Sequence, residues 1–189
     1  MRTVMALVLE FTLTFMSAAA CARSTGQPRL QPINLVVIHS TGGPICNAKT
    51  GQVMWVKSGT LAANMRFIEA HPKLGIHYMI DRDGTLARSV PEDQIAHHVF
   101  GHSARSIAIE LINDGDGSDP FPEAQLQAVT ALIQDIAKRR SLSREAVKRH
   151  SDLDLGVMPC DRSKRRKVDP GPAFPFEGVL DAAFAQTIR

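Results

Sequence analysis

The chain has 189 residues, of which 44% are hydrophobic and 22% are charged, and its formal net charge is +3. This composition is that of a globular protein. The length suffices for one well-packed domain and is too short for two large ones. Because the net charge is small and only 5% of the residues are aromatic, a nucleic-acid-binding surface is not indicated.

The first 20 residues predict an export signal. Arg2 precedes an apolar run, and small residues occupy positions 17–20, which is the order of a secretory signal peptide. A membrane anchor or a packed N-terminal helix is the alternative interpretation. The stretch is short for a membrane span and is interrupted by Glu10, so we expect an exported protein.

Cys21 follows three alanines and resembles the lipid-carrying cysteine of a bacterial lipoprotein signal. Cleavage near this position without lipidation is the other interpretation. A lipid would attach the protein to a membrane, and we expect the periplasm as its location, with the outer membrane as the anchoring surface. Residues 21–33 are polar and contain glycine and two prolines, so they predict a tether before a domain over residues 34–189.

From position 34 onward, apolar runs typical of strands alternate with stretches of helical periodicity. In chain order, the sequence predicts a strand at 34–40, a helix at 59–71, a hairpin at 76–90, a strand at 106–112, a helix at 122–140, a short strand or helix end at 145–153 and a terminal helix at 176–189. This order predicts an α/β fold, with one central mixed sheet flanked by helices.

Three polar residues lie at the end of, or inside, these apolar or strand-like segments. His39 ends the first strand, Glu110 interrupts the strand at 106–112, and His150 follows a possible short strand. A single histidine at a strand end is usually only hydrogen-bonded, and Glu110 on an edge strand would face solvent. Polar residues at strand ends also line functional crevices in open α/β sheets, and a buried carboxylate is costly unless it is paired.

Together with Asp169, the two histidines fit a zinc site at the strand ends. A catalytic zinc ion takes imidazole nitrogens and a carboxylate oxygen at about 2 Å and leaves one position for water. His39, His150 and Asp169 would supply these three ligands, and the Asp-Pro-Gly turn at 169–171 would hold the carboxylate rigidly. In such a site Glu110 would act as general base, and Lys167 would stabilise an oxyanion.

Five stretches carry a resemblance to the type 2 N-acetylmuramoyl-L-alanine amidases, the zinc amidase family related to phage T7 lysozyme and peptidoglycan recognition proteins. In chain order they are VVIHST (36–41), GIHYMIDRDGTLAR (75–88), AHHVFGHSARSIAIEL (96–111), RHSDL (149–153) and RKVDPGPAFPF (166–176). The last is the most specific, because the family pattern there is Arg-Lys-x-Asp-Pro-Gly followed by an aromatic residue.

The resemblance implies hydrolysis of the amide between N-acetylmuramic acid and L-alanine in peptidoglycan or muropeptides, with one zinc ion as cofactor. It implies His39, His150 and Asp169 as zinc ligands and places Glu110 and Lys167 at the catalytic glutamate and lysine. His98 stands where the family has Trp-His-Ala-Gly, at the substrate-facing end, and is expected to bind substrate. We expect a monomer. The alternatives are a non-catalytic peptidoglycan-binding module and a zinc peptidase that acts on stem peptides.

The connection between His150 and Lys167 is longer than in the family, so Asp161 and Cys160 are alternative third ligands. Asp169 is preferred because Lys167 and the turn accompany it. In an exported protein Cys46 and Cys160 suggest a disulfide, although free thiols or metal ligands are also possible. If both histidines bind one metal, the loops that carry the two cysteines start close together, and we predict a Cys46–Cys160 disulfide.

Overall fold

The structure is a computed structural model that describes residues 27–185. The predicted signal over residues 1–20 and the candidate lipidation site Cys21 lie outside the described residues. Among the residues described, no helix has the length and apolar character that crossing a membrane requires.

The described chain alternates short strands with four α-helices, and two 3-10 turns lie at Ser103–Arg105 and Arg144–Ala146. In chain order the elements are β1 (Gln27–Pro28), β2 (Leu35–Ser40), β3 (Gly43–Cys46), β4 (Val53–Val56), α1 (Leu61–Ala70), β5 (Tyr78–Ile80), β6 (Leu86–Arg88), β7 (Gln94–Ile95), β8 (Ser106–Leu111), α2 (Glu123–Arg140), β9 (Val147–Arg149), α3 (His150–Leu153), β10 (Val157–Met158), β11 (Asp161–Arg165) and α4 (Phe176–Ala183).

The central sheet has five strands in the order β6-β5-β8-β2-β9. Strands β5, β8, β2 and β9 pair in parallel, while β6 returns antiparallel to β5 through the predicted hairpin. The predicted mixed sheet with flanking helices is therefore confirmed. The segment at 145–153, which the sequence assigns to a strand or a helix end, contains both, as β9 and α3.

The two faces of the sheet are covered differently. On β2 and β8, alternate residues such as Val36, Ile38 and Ile109 join a large core with α2 and α4. The intervening residues, including Val37 and Ala108, belong to smaller clusters on the other face, where α1 and the loop around Val99 pack. Because side chains alternate along a strand, His39 and Glu110 emerge on this second, thinly covered face.

Two peripheral hairpins, which the sequence does not predict, frame that face. Strands β3 and β4 form one hairpin, and β10 and β11 form the other. A disulfide between Cys46 and Cys160 joins them, as expected from the loops that follow the two histidines. Four consecutive cations stand at positions 164–167, and the first two of them end strand β11.

Part of the segment predicted as a tether contacts the rest of the described chain. Strand β1 pairs with β7, and the guanidinium of Arg29 donates to the carbonyl oxygens of Glu92, Ser103, Ala104 and Ser106 at 2.7–3.1 Å. A polar composition indicates a tether when the side chains stay in solvent, whereas the Arg29 side chain binds partly buried backbone carbonyl groups. Residues 27–29 therefore pack against the domain predicted over residues 34–189.

Candidate metal centre

His39, His150 and Asp169 converge at one point beside the sheet. His39 lies near the end of β2, His150 begins α3 directly after β9, and Asp169 precedes the turn that follows β11. The His39 Nδ1, His150 Nδ1 and Asp169 Oδ2 atoms are 2.9–3.0 Å from one another. All three residues are buried, with side chains that are at most 10% exposed.

Burial and the mutual contacts shift the acid–base properties of this cluster. Desolvation lowers the pKa of His39 to about 4, so its ring is neutral at pH 7. Burial alone would raise the pKa of Asp169, but its contacts with the His150 and His39 rings hold it well below its usual range. Neutral imidazole and ionised carboxylate are the forms in which these side chains bind metal ions.

The donor set fits a zinc ion. Two imidazole nitrogens and a carboxylate oxygen meet with their lone pairs directed at one another, an arrangement that is stabilised by a cation between them. Ligand atoms about 2 Å from a tetrahedral ion lie roughly 3.3 Å apart, so the present spacing needs to widen by only a few tenths of an ångström.

The structure brings neither alternative ligand into this cluster. Cys160 is bonded to Cys46 and has no thiolate to offer. Asp161 accepts hydrogen bonds from Ser163 and lies 3.7 Å from the Lys164 Nζ atom. Among the described residues, the group of metal-ligating side chains close enough to hold an ion is His39, His150 and Asp169.

The turn after Asp169 is built so that the carboxylate is held by backbone contacts. The amide of Gly171 donates to the Val168 carbonyl at 3.0 Å, and the amide of Ser151 donates to the Asp169 carbonyl at 3.1 Å. Gly171 has φ +95°, and a Cβ atom there would collide with the backbone of Gly115. The position therefore requires glycine, as the sequence pattern suggests.

Glu110 lies beside the cluster. It is the direct register partner of His39 across the parallel strands β8 and β2, so the two side chains leave the sheet on the same face. Burial, reinforced by the charge of Asp169, raises the pKa of Glu110 to about 8, while Lys167 acts in the opposite direction. A carboxyl group with a pKa near the working pH can both accept and return a proton.

Lys167 lies two residues before Asp169 and lines the same cleft as Glu110. Its residue is exposed, and its charge reaches both Glu110 and His39, where it favours the ionised carboxylate and the neutral imidazole. The ammonium group is thus available for a negative charge that develops beside the cluster.

His98 has partners other than those expected from the sequence. Its Nδ1 atom is 2.9 Å from His39 Nε2, and its Nε2 atom is 2.9 Å from Ser106 Oγ. Burial, with His39 as the next contribution, holds its pKa well below the usual value. His98 lines the cleft, but both of its ring nitrogens are used within the protein. Ser106 was not anticipated, since a serine at the start of a strand carries no distinctive signal.

A cleft of about 800 Å³ opens over the cluster. One of its walls is apolar. Its residues come from the β3–β4 hairpin and from α1 with the loop after it: Ile45, Val56, Phe67, Ile68 and Leu74. Phe67 is 53% exposed, which is unusual for phenylalanine and is explained by its place in this wall.

The cations next to Lys167 are mainly structural. Arg165 donates to the carbonyl oxygens of Ser151 and Asp154 at 2.7–2.8 Å, and Arg166 pairs with the Asp154 carboxylate at 2.8–2.9 Å. These contacts fasten the end of β11 to α3 and the residues after it. They support the segment after β11, which carries Lys167 and Asp169 and lines the cleft.

Comparison with known proteins places these features in a family. Residues 29–172 match the sequence profile described as N-acetylmuramoyl-L-alanine amidase. The 1,6-anhydro-N-acetylmuramyl-L-alanine amidase AmpD of Enterobacter cloacae is 30% identical over 168 residues, which are 79% of this chain and 80% of that protein. The N-acetylmuramoyl-L-alanine amidase AmiD of Escherichia coli K12 is 36% identical over 104 residues, covering 47% of this chain and 34% of that protein.

Solved structures share the fold. The complex of Escherichia coli AmiD with the substrate anhydro-N-acetylmuramic acid-L-Ala-D-γ-Glu-L-Lys has a TM-score of 0.62 at 24% identity and covers 82% of this chain and 60% of that one. The amidase LysC from Clostridium intestinale has a TM-score of 0.54 at 24% identity, covering 78% of this chain and 82% of that one. At these identities the likeness concerns the arrangement of the chain alone.

Proposed function

Because the chain belongs to the N-acetylmuramoyl-L-alanine amidase family, we propose that it hydrolyses the amide bond between the lactyl group of N-acetylmuramic acid and L-alanine. The observation that carries this proposal is the convergence of His39 Nδ1, His150 Nδ1 and Asp169 Oδ2 within 3.0 Å, in a cleft that also contains Glu110 and Lys167.

These three ligands would hold one zinc ion. When bound, zinc supplies a Lewis acid that polarises the scissile carbonyl and lowers the pKa of a water molecule towards about 7. The chain's own contribution is the rigid placement of the ligands on β2, on α3 and on the turn at 169–171. Three protein ligands leave a fourth position for water or substrate.

Glu110 transfers a proton from the attacking water to the leaving amine. Its carboxylate accepts a proton from the attacking water and returns it to the nitrogen of L-alanine as the amide bond breaks. The raised pKa, about 8 in the metal-free protein, makes the protonated form accessible for the second transfer. The position opposite His39 brings this carboxylate to the cluster without a flexible loop.

Lys167 stabilises the negative charge that develops on the carbonyl oxygen during attack. A cation beside an oxyanion lowers the barrier, because it stabilises the charge that develops in the transition state. The ties of Arg165 and Arg166 to neighbouring backbone and carboxylate groups support the segment from which Lys167 projects.

The substrates we propose are muropeptides, including those with a 1,6-anhydro sugar. The relative from Enterobacter cloacae, which matches most of this chain, carries that substrate in its name. The cleft supports the proposal, because 800 Å³ accommodates a sugar with part of its peptide, and the apolar wall suits the faces of a sugar ring.

We also propose that the protein works as an exported monomer, with residues 1–20 as signal and a lipid on Cys21 that attaches it to the outer membrane. The Cys46–Cys160 disulfide supports export, because disulfides persist in the periplasm and are rare in the reducing cytosol. Fractionation of cells that express the wild type and Cys21→Ala, with labelled palmitate, tests the proposal. Label on the Ala variant, or recovery of both proteins in the cytosol, contradicts it.

Digestion of purified muropeptides with the zinc-loaded protein tests the activity. We expect mass spectrometry to detect free peptides that begin with L-alanine and sugars that have lost their peptide. Cleavage within the stem peptide would identify a zinc peptidase instead. Binding without any product would identify a non-catalytic module. Parallel digestion of anhydro and reducing-end muropeptides and of intact sacculi determines the preferred form.

A further inference from the structure

A chain of hydrogen bonds leads from the metal centre to the backbone. His39 Nε2, on the side of the ring away from the cluster, lies 2.9 Å from His98 Nδ1. His98 Nε2 lies 2.9 Å from Ser106 Oγ, and that hydroxyl donates to the carbonyl oxygen of His102 at 2.9 Å. Ser106 is fully buried and His39 is 3% exposed, so both of these side chains are shielded from water.

The carbonyl oxygen of His102, at the end of this chain, determines which atom donates in each of its hydrogen bonds. A carbonyl oxygen only accepts, so the Ser106 hydroxyl donates its one proton to His102. The hydroxyl oxygen must then accept from His98 Nε2–H. A neutral imidazole has one N–H, so His98 Nδ1 carries a lone pair and accepts from His39 Nε2–H.

The direction of these hydrogen bonds determines whether the candidate ligand atom, His39 Nδ1, carries a proton. With its one proton on Nε2, His39 has a lone pair on Nδ1, the atom that lies 2.9–3.0 Å from His150 Nδ1 and Asp169 Oδ2. The opposite tautomer would place a hydrogen atom where the metal must bind. The backbone carbonyl of His102 therefore determines, through two side chains, which nitrogen of His39 faces the cluster as a donor.

The loop that carries His98 is fixed by hydrogen bonds of its own. Ser103 Oγ accepts from the amides of His98 and Val99 at 3.1–3.2 Å and donates to the Val99 carbonyl at 2.7 Å. The His98 ring meets the His39 ring edge to face, with centroids 5.1 Å apart. The loop thus holds the His98 ring in place against the Nε2 side of His39.

We propose that His98 and Ser106 are positioning residues for the metal site: they hold His39 as the Nε2–H tautomer with Nδ1 free for the ion. This inference rests on the proposed function only in taking His39 as a metal ligand. It assigns His98 to support of the metal ligand, in place of the contact with substrate that the sequence suggests. Partners of this kind typically contribute 10- to 100-fold to metal affinity.

The first test determines the tautomer of His39 in the metal-free protein. Long-range proton–nitrogen correlation spectra of the metal-free, nitrogen-15-labelled protein distinguish Nε2–H from Nδ1–H in each histidine ring, and a His39→Asn variant assigns the His39 signals. We expect His39 as Nε2–H in the wild type and an increased Nδ1–H fraction in Ser106→Ala. A wild-type His39 ring with its proton on Nδ1 would overturn the proposal.

The second test measures zinc affinity by competition with a chromophoric chelator. We expect Ser106→Ala to bind roughly 10-fold more weakly and His98→Leu roughly 10- to 100-fold more weakly than the wild type. His98→Asn, whose amide oxygen accepts from His39 Nε2–H, should lose less than His98→Leu. Ser163→Ala removes an exposed serine hydroxyl on β11 and serves as the matched control, with unchanged affinity.

Equal zinc affinity of Ser106→Ala, His98→Leu and the wild type contradicts the positioning role, even if the protein proves to be an amidase. If His98→Leu does not fold, Ser106→Ala and His98→Asn decide the question. Failure of the proposed function has a different signature: wild-type protein that binds zinc and shows the expected tautomer but releases no peptide from muropeptides.

Discussion

His39 and Glu110 are direct partners across the parallel strands β2 and β8. The pairing places a candidate metal ligand and a candidate general base side by side on one face of the sheet. Because strand register is set by the buried alternation of the neighbouring residues, the distance between them does not depend on a loop. His150 and Asp169 complete the cluster from α3 and from the turn after β11.

Replacement of Glu110 by glutamine should abolish most hydrolysis and spare metal binding. Glutamine has nearly the same shape but accepts no proton, and general bases typically contribute about 100- to 10,000-fold to the rate. The measurements are turnover of a purified muropeptide and zinc content of the same preparation. Turnover within a few-fold of the wild type, at equal zinc content, would show that Glu110 is not the base.

The same substitution should stabilise the metal-free protein at alkaline pH. The pKa of Glu110 is about 8 in the folded state, above the 4.5 of an ordinary glutamate. The folded protein therefore keeps a proton that the unfolded chain releases, and stability falls as pH rises from 4.5 to 8. Glu110→Gln escapes this loss, which amounts to about 1.4 kcal/mol per pH unit.

Urea denaturation of wild type and Glu110→Gln in the presence of a chelator measures this difference. We expect the advantage of the variant to grow between pH 5 and pH 8 and to level off above that range. Below pH 4 the side chain at position 110 is neutral in both proteins, so that comparison is the internal control. A difference independent of pH would mean that Glu110 is ionised in the folded state.

Replacement of Asp169 by asparagine should weaken zinc binding strongly. The change removes the anionic ligand and leaves two buried imidazoles, which together bind zinc less tightly than a site with a carboxylate. Asp161→Asn is the matched control, because Asp161 is the nearer acid in sequence but pairs with Ser163 and Lys164. Loss of zinc from Asp161→Asn, with retention in Asp169→Asn, would reverse the assignment.

Loss of the Cys46–Cys160 disulfide should destabilise the fold. The two cysteines are separated by 114 residues, and closing a loop of that length contributes about 3–5 kcal/mol in the chain-entropy model. Denaturation of the Cys46→Ser, Cys160→Ser double variant measures the effect. The wild type in a reducing agent should approach the variant. Equal stability of the oxidised wild type and the variant would rule out this contribution.

Much of the fold and site follows from local patterns in the sequence. The apolar runs that form β2 and β8 and the helical periodicity of α2 are strong signals, so the sheet and its main helix are predictable. The candidate ligand set follows from three placements: His39 at a strand end, His150 after a strand and Asp169 before a rigid turn. The family resemblance is confirmed by the match over residues 29–172.

Several features that depend on distant contacts are not predictable from local sequence patterns. The segments of β3 and β11 are short, contain proline or consecutive charges, and become strands only because a neighbouring segment pairs with them. Arg29 lies in a polar stretch, and the carbonyl groups that it binds are more than 60 residues away in the sequence. The link from His98 to Ser106 likewise exists only once the loop has folded against β8.

Anomalous diffraction across the zinc absorption edge, from crystals of the zinc-loaded protein, tests the central claim most directly. The account predicts one peak at a bonding distance of about 2.0–2.2 Å from His39 Nδ1, His150 Nδ1 and Asp169 Oδ2. The absence of a peak at this position, or a zinc ion held by other side chains, would contradict it.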